Sequence, residues 1–343
     1  MKIIIVGFGT VGKALAETLM KKKKELIKGY GFRPEIVAIV DRGGALINPE
    51  GLDLTLAFKA DKEGGTVASN KEYGCKGVKS TDVINEVETD VMVELTPTNI
   101  KDGQPGLNNI EAALKKGIHV VTANKGPLAL ALPALMDLAN YNKVFLRFSG
   151  AVGGGTPVLD LAKKCIIGEK ILSVKGILNG TTNYILTKMH EKGLSMEEAL
   201  KEAQKLGYAE ADPSYDVEGI DTACKLVIIA NWVMNKRISI KDVKIEGIKK
   251  VSLKDINGAK KRGKNIKLIG EINNEAIVKP TEVSILDPLC VNGTLNAVTF
   301  NAENSGEITI VGKGAGGKET ASAIIRDLID IKLNLLKIRG GQD

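Results

Sequence analysis

Aromatic side chains are scarce in this chain: they make up 4% of its 343 residues, with a single Trp. A net charge of +7 therefore does not read as a nucleic-acid surface, because single strands are held by stacking as well as by cations, and no basic run here is interleaved with aromatics. The densest run, Lys21 to Lys24, reads as the solvated end of a helix. Histidine is scarcer still. His119 sits inside the apolar stretch IHVV and His190 near a helix end before Gly193; both read as structural, so any proton transfer falls to Lys, Asp, Glu, Tyr or water. The four cysteines (Cys75, Cys165, Cys224, Cys290) are far apart and form no CxxC pair, which argues against a zinc site or a disulfide framework and fits a reducing, cytoplasmic setting. No run approaches the roughly 20 apolar residues of a membrane span, and MKIIIVGFG lacks the pattern of a cleavable signal, so no membrane partner is expected.

What is present begins with KIIIVGFGTVGKALAETL. A buried apolar run at residues 2–6 meets Gly7-Phe8-Gly9-Thr10-Val11-Gly12, and an amphipathic helix follows with Ala14, Leu15, Leu19 and Met20 on its inner face. In such a strand–turn–helix, Gly7 permits the tight turn, Gly9 lets backbone approach a pyrophosphate, and Gly12 allows close helix packing, while the helix N-terminus offers N–H groups to the phosphates. A second strand, EIVAIV, ends in Asp41-Arg42, where a dinucleotide-binding fold reads the adenosine ribose. Asp41 suits the 2′-hydroxyl of NAD, whereas Arg42 with Lys59 suits the 2′-phosphate of NADP. Both signals stand, and the paired cations tilt the expectation to NADP.

Strands at 90–95 and 118–122, with a helix between them over about 107–116, continue a βαβ alternation and hence a mainly parallel, doubly wound α/β sheet. Ligands bind beyond the carboxyl ends of such strands, which places Thr96-Pro97-Thr98 and Ala123-Asn124-Lys125 at the site. After KVFLRF (143–148) the pattern changes: SGAVGGGTP is glycine-rich, helices dominate 181–235, and NIKLIGEI and AIVKPTEV flank Asn273-Asn274 as a hairpin. The expected organisation is a dinucleotide-binding domain over 1–145, an α+β domain with a mixed or antiparallel sheet over 146–308, and a segment 309–343 that returns to the first domain and brings Gly314 and Ala315 near the cofactor.

The acid–base chemistry is sought in GYAEADPSYDVEGIDTACK, which concentrates Glu210, Asp212, Asp216, Glu218 and Asp221 in a basic chain. Ser195-Met196-Glu197-Glu198 reads as a capping box opening a helix that stops at Gly207. A further helix starting around Val217 puts Asp221 and Lys225 four residues apart on one face. At a surface such a pair contributes only about 0.3–0.5 kcal/mol. Lys225, however, leads into the apolar run LVIIANW, where an unpaired ammonium would be costly, so a lysine held there by a carboxylate is a functional candidate. Glu210 and Asp216 suit a substrate α-ammonium. GILNGTTNY puts N–H groups and hydroxyls at a helix start fit for a carboxylate, unless Thr181 or Thr182 merely caps it. Carbonyls of SGAVGGGTP suit a hard cation.

GFGTVG, GIHVVTANKGPLA, AVGGGTP, GILNGTTNYIL, GYAEADPSYDVEGIDTACK and GKGAGGKETASAIIRDL, in this order over nearly the whole chain, resemble homoserine dehydrogenase in its short form without an appended regulatory domain. The resemblance implies NAD(P)-dependent interconversion of L-homoserine and L-aspartate 4-semialdehyde. It assigns the acid/base role to Lys225, oriented by Asp221. Lys125 would lie between substrate and nicotinamide, Gly180 and Thr181 near the substrate carboxylate, and Glu210 and Asp216 near its amino and hydroxyl end. It also implies a homodimer formed through the second sheet, and a sodium ion on the main-chain carbonyls of Val152, Gly154 and Thr156, with Ser149 beside them. Ser149-Gly150 replaces the family's common Glu-Ala and so removes a carboxylate there. Two rivals remain: a phosphorylating semialdehyde dehydrogenase, which needs a nucleophilic cysteine, and a nicotinamide-binding regulator without turnover.

Overall fold

The computed structural model of the chain describes residues 1–340. Two compact units emerge: Met1–Ala151 together with the chain from Gly316 onward, and Val152–Ala315. The boundaries thus fall at 151/152 and 315/316 rather than 145/146 and 308/309. The second shift has a plain cause, since strand β13 (Gly306–Lys313) pairs over its whole length with β12 (Leu295–Ala302), and both belong to the second sheet.

Unit one is built on a seven-stranded sheet of order β4-β3-β2-β1-β5-β6-β7. Its strands are β1 (Lys2–Val6), β2 (Glu35–Asp41), β3 (Gly44–Ile47), β4 (Gly74–Lys76), β5 (Val91–Glu94), β6 (His119–Thr122) and β7 (Leu146–Arg147). β2, β1, β5, β6 and β7 run parallel, as the βαβ alternation requires. β3 and β4 add an antiparallel edge that the sequence pattern did not announce, because both are short and open on a glycine. The helices of this unit are α1 (Thr10–Tyr30), α2 (Leu54–Gly64), α3 (Ser80–Glu86), α4 (Gly106–Lys115) and α5 (Lys125–Tyr141). α5 bends at Ala131, whose φ is −143°, two residues before Pro133, where the ring and the missing N–H interrupt the helical ladder.

The inner stripe of α1 is Gly12, Leu15, Ala16, Leu19 and Leu26; Met20, expected inside, is exposed. Lys21 to Lys24 are exposed too, but α1 continues to Tyr30, so they precede its end.

Unit two holds α6 (Val158–Asp160), β8 (Ile171–Ile177), α7 (Gly180–Lys192), α8 (Met196–Lys205), α9 (Ser214–Val217), α10 (Ile220–Val233), β9 (Val243–Ile245), α11 (Leu253–Lys261), β10 (Lys264–Ile272), β11 (Ala276–Ser284), β12 and β13. Its six-stranded sheet has the order β13-β12-β8-β10-β11-β9 and is antiparallel except for the β11–β9 pair. The expected capping box at Ser195 and Glu198 opens α8. The helix carrying Lys225 starts later than expected, at Ile220, because Gly219 takes a left-handed φ of +86° and separates it from α9.

The chain re-enters unit one as α12 (Gly317–Gly340), whose Ala321, Ile324, Ile325, Leu328 and Ile331 join the core formed by β1, β2 and α1. A polar tie reinforces this packing: Asp327, only 1% exposed, accepts from Ser149 N at 2.8 Å and Ser149 Oγ at 2.6 Å. Replacing Asp327 by Ala leaves both donors buried and unpaired. The expected outcome is a loss of roughly 2–4 kcal/mol in unfolding free energy, read from urea denaturation midpoints at unchanged slope.

Candidate active site

In unit one the glycine turn follows β1 directly. Gly7 has φ +106°, and a Cβ there would stand 2.6 Å from Leu95 O, so only glycine fits. Gly12 is equally constrained: a Cβ would lie 2.2 Å from Gly7 O. Gly9 faces open space, with nothing within 4 Å of where its Cβ would be. α1 begins without a side-chain cap and without an acidic residue in its first turn, so its positive end is left for an anion. Thr10 and Val11 supply the first residues of that turn. These features fit a dinucleotide pyrophosphate.

At the end of β2, Asp41 is largely committed to the protein's own backbone and hydroxyl donors. Its carboxylate accepts from Gly43 N at 2.8 Å, Thr66 Oγ1 at 2.6 Å and Val67 N at 2.8 Å. Arg42 and Lys59 are both exposed.

At the carboxyl ends of β5 and β6 the expected residues are joined by a group the sequence reading passed over. Glu94 is fully buried and accepts from Thr96 N, Thr96 Oγ1, Asn109 Nδ2 and, more distantly, Asn124 Nδ2. Burial pushes its carboxyl above the ordinary carboxylate range, against the pull of those hydrogen bonds. Asn124 caps α5 by accepting from Gly126 N at 3.1 Å, which sets Lys125 as the first helical residue, half-buried. The apolar context of strand β5 hid Glu94; a carboxylate closing an apolar strand was the available signal.

Unit two holds the Lys225–Asp221 pair. Lys225 is 6% exposed, and its Nζ donates to Asp221 Oδ2 and to Leu178 O, both at 2.6 Å. The pair is buried because α10 is buried along almost its whole length against the sheet. Asn179, N-cap of α7, is the organiser that sequence reasoning missed. Its Oδ1 accepts from Thr182 N at 2.8 Å, while its Nδ2 donates to Asp216 Oδ1 at 2.6 Å and Asp221 Oδ2 at 2.9 Å. Capping therefore belongs to Asn179 and not to Thr181 or Thr182; the signal was an Asn directly before Gly-Thr-Thr. Thr181 Oγ1 donates to Tyr208 O at 2.8 Å, and Gly180 admits no side chain, since its Cβ would meet Thr294 O at 2.8 Å. Burial and the neighbouring Asp221 raise the Asp216 carboxyl above its usual range, opposed by hydrogen bonds from Thr181 and Asn179 and by the Lys225 charge.

The acidic stretch thus divides. Asp216 and Asp221 gather on Asn179. Glu210 is exposed, Asp212 accepts from Ser214 N in its own turn, and Glu218 pairs with Lys249 at the surface. Two of the cysteines are poorly set for a nucleophilic role: Cys224 is buried with Tyr215 Oη 3.2 Å from its sulfur, and burial pushes the Cys290 thiol up. His119 Nδ1 accepts from Phe145 N, a structural use.

In the glycine-rich loop Gly153 and Gly154 have positive φ, and Thr156 O already accepts from Val158 N at 2.8 Å. Ser149 belongs to unit one; Val152, Gly154 and Thr156 open unit two. Gly314 and Ala315 close unit two, where a Cβ on Gly154 would stand 2.9 Å from Gly314 C. Among the described residues no group of three or more His, Cys, Asp or Glu is arranged to hold a metal ion, and no helix is long and apolar enough to cross a membrane.

A parallel sheet presenting a bare helix N-terminus to a dinucleotide, in a chain that also buries a lysine against an aspartate, defines the class of nicotinamide-nucleotide-dependent oxidoreductases. Comparison with known proteins narrows the class. Residues 7–149 match the model of the homoserine dehydrogenase NAD-binding domain, and residues 157–329 that of homoserine dehydrogenase. A homoserine dehydrogenase of Methanocaldococcus jannaschii is 49% identical over 96% of this chain and 98% of its own. An NAD(+)-dependent homoserine dehydrogenase of Pseudomonas canavaninivorans is 39% identical over 96% of each chain. The solved structure of a hyperthermophilic archaeal homoserine dehydrogenase in complex with NADPH superposes with a TM-score of 0.84 at 30% identity, covering 97% of this chain and 98% of that one. The chain belongs to the homoserine dehydrogenase family, and it is an NAD(P)-dependent oxidoreductase acting on a CH–OH group.

Gly12→Ala tests the nucleotide half. The added methyl must displace the Gly7 carbonyl, and the expected outcome is a loss of at least about tenfold in dinucleotide affinity, measured by titration of cofactor fluorescence.

Proposed function

We propose that Lys225 is the acid–base residue for the interconversion of L-homoserine and L-aspartate 4-semialdehyde, with NADP(H) as the preferred cofactor. The buried Lys225–Asp221 pair, with its 2.6 Å contact, carries this reading. When bound, the nicotinamide nucleotide supplies or accepts the hydride.

An ammonium has three N–H bonds, and Asp221 Oδ2 and Leu178 O take two of them. The third is left to donate to the substrate oxygen. In the direction of reduction Lys225 gives that proton to the aldehyde oxygen as the carbon gains hydride; in the direction of oxidation it takes the hydroxyl proton back. Asp221 holds Nζ in place, and Leu178 O fixes its direction. Asp216 and, on the exposed loop, Glu210 offer acceptors to the substrate α-ammonium. The N–H groups of Gly180 and Thr181, ahead of the one Asn179 caps, receive its carboxylate at the positive end of α7. Lys125 offers a second cation to the substrate.

The preference for NADP(H) rests on Asp41 and Arg42. With Gly43 N, Thr66 Oγ1 and Val67 N all donating to its carboxylate, Asp41 ties the turn after β2 to the segment after α2, while exposed Arg42 and Lys59 are the groups suited to a 2′-phosphate. Family membership leaves the choice open, since one relative is named for NAD(+) and another was solved with NADPH. The carbonyls of Val152, Gly154 and Thr156, beside Ser149, are the groups that would hold the monovalent cation the family resemblance implies. A homodimer through the second sheet, which the family resemblance implies, is part of the same reading. The free-thiol setting supports a cytoplasmic location.

Initial rates with L-homoserine, run with NAD and with NADP on nucleotide-stripped protein, test the whole reading; absence of turnover with both would overturn it. Lys225→Ala is expected to lower kcat by at least about a hundredfold while cofactor affinity stays within about twofold. A near-normal kcat would remove the assignment. Arg42→Ala is expected to weaken NADP binding about tenfold more than NAD binding; equal losses would show that Arg42 does not read the phosphate.

A further inference from the structure

We infer that Glu94 is a positioning residue: buried beneath the carboxyl ends of β5 and β6, it locks the loops at Thr96–Pro97 and Ala123–Lys125 into the shape that receives the nicotinamide half of the cofactor. The inference rests on the proposed dehydrogenase function, in which Lys125 lies beside the nicotinamide and the loops beyond the carboxyl ends of β5 and β6 line that half of the site.

Glu94 ends β5 at the centre of the sheet, opposite Val6 of β1 and Thr122 of β6. Its side chain ties together three segments that are remote in sequence. Oε1 accepts from Thr96 N at 2.8 Å and from Thr96 Oγ1, which turns the chain after β5 back over the carboxylate. Oε2 accepts from Asn109 Nδ2 at 2.8 Å, and fully buried Asn109 is itself held through its Oδ1 by Ser80 Oγ at 2.7 Å. Asn124 Nδ2 lies 3.5 Å from Oε1, 3.1 Å from Thr96 Oγ1 and 3.5 Å from Pro97 O, joining the two loops above the same group. The Glu94 main chain takes part as well, its carbonyl accepting from Thr122 Oγ1 at 3.0 Å and Ala123 N at 3.3 Å.

The space around this network is full: a Cβ on Gly106 would stand 2.5 Å from Asn124 Nδ2 and 3.3 Å from Glu94 Oε1. A carboxylate in such a place is costly, because the donors that replace its water are neutral amide and hydroxyl groups. An apolar residue would close the strand at lower cost in desolvation. What the carboxylate adds is direction: it accepts from every donor aimed at it, so the Thr96 N–H, the Thr96 hydroxyl and the Asn109 amide all point inward. The outward surface of the two loops is thereby determined. Glu94 acts through the backbone it holds and not on the substrate.

Glu94→Gln tests this. The amide keeps the volume but brings an NH₂ group where only acceptors serve, so one inward donor must turn away. Two ligands separate positioning from general destabilisation: the reduced dinucleotide, and ADP-ribose (its 2′-phosphate form if NADP is preferred), which lacks the nicotinamide. The expected result is a dinucleotide affinity weakened at least about fivefold, ADP-ribose affinity within about twofold of the parent, and kcat with homoserine lowered about tenfold or more. Equal weakening of both ligands, or no change in either, would overturn the inference. If Glu94→Gln does not fold, Asn109→Ala removes one of the tethers to the carboxylate from behind, and the same ratio of affinities decides in the same way. The binding arms need no turnover. A parent enzyme inactive with homoserine would therefore sink the functional reading and leave the Glu94 result to be read separately.

Discussion

The contact between Lys225 Nζ and Asp221 Oδ2 is the constraint around which the polar centre of unit two is arranged. Two opposite charges four residues apart on a helix usually contribute little, because water screens them and both side chains must be held still. Here both are nearly buried, and removal from water makes the pair dependent on complete hydrogen bonding. Leu178 O serves the lysine, and Asn179 Nδ2 serves the aspartate. Those two residues join the end of β8 to the start of α7, so the turn between strand and helix is placed by the needs of a side-chain pair on α10. The same Asn179 amide reaches Asp216, and a second carboxylate is thereby kept beside the first although the two repel.

Unit one follows a parallel logic with different chemistry. Its site is made chiefly of backbone: glycine positions where no Cβ fits, a helix N-terminus without a cap, and loops at the ends of parallel strands. Backbone is imprecise unless something holds it, and the buried groups under it do so. Asp41 gathers the loop beyond β2 by accepting from Gly43, Thr66 and Val67. Glu94 gathers the loops beyond β5 and β6. In both places a carboxylate at a strand end is mostly spent on the protein's own N–H and O–H groups, although Asp41 is the kind a motif search would hand to the ligand. α12 completes the unit by inserting its apolar face into the core of β1, β2 and α1, with Asp327 fixing Ser149.

The parallel strands β1, β2, β5 and β6, the glycine turn, the capping box of α8 and the Asp221–Lys225 spacing were all legible in the sequence. Each is local, resting on the alternation of apolar residues, on glycine where a side chain cannot go, or on the 3.6-residue turn that brings positions four apart together. Less was legible where short strands depend on partners, as in β3 and β4, or where one glycine moves a helix start, as Gly219 does for α10. The five carboxylates after Gly207 looked like one cluster in the chain. In space Glu218 faces Lys249 and Asp212 serves its own turn, while Asp216 and Asp221 meet on Asn179.

By itself the sequence determined the class of fold, the order of its motifs and the residues able to carry acid–base chemistry, because those follow from residue type and from spacing along the chain. Tertiary structure alone decided which polar groups are shared and which are free. Asn179 became the link between two carboxylates, Glu94 the buried tie of two loops, and Asp41 a loop organiser, because a hydrogen bond depends on which distant donor folding brings within about 3 Å.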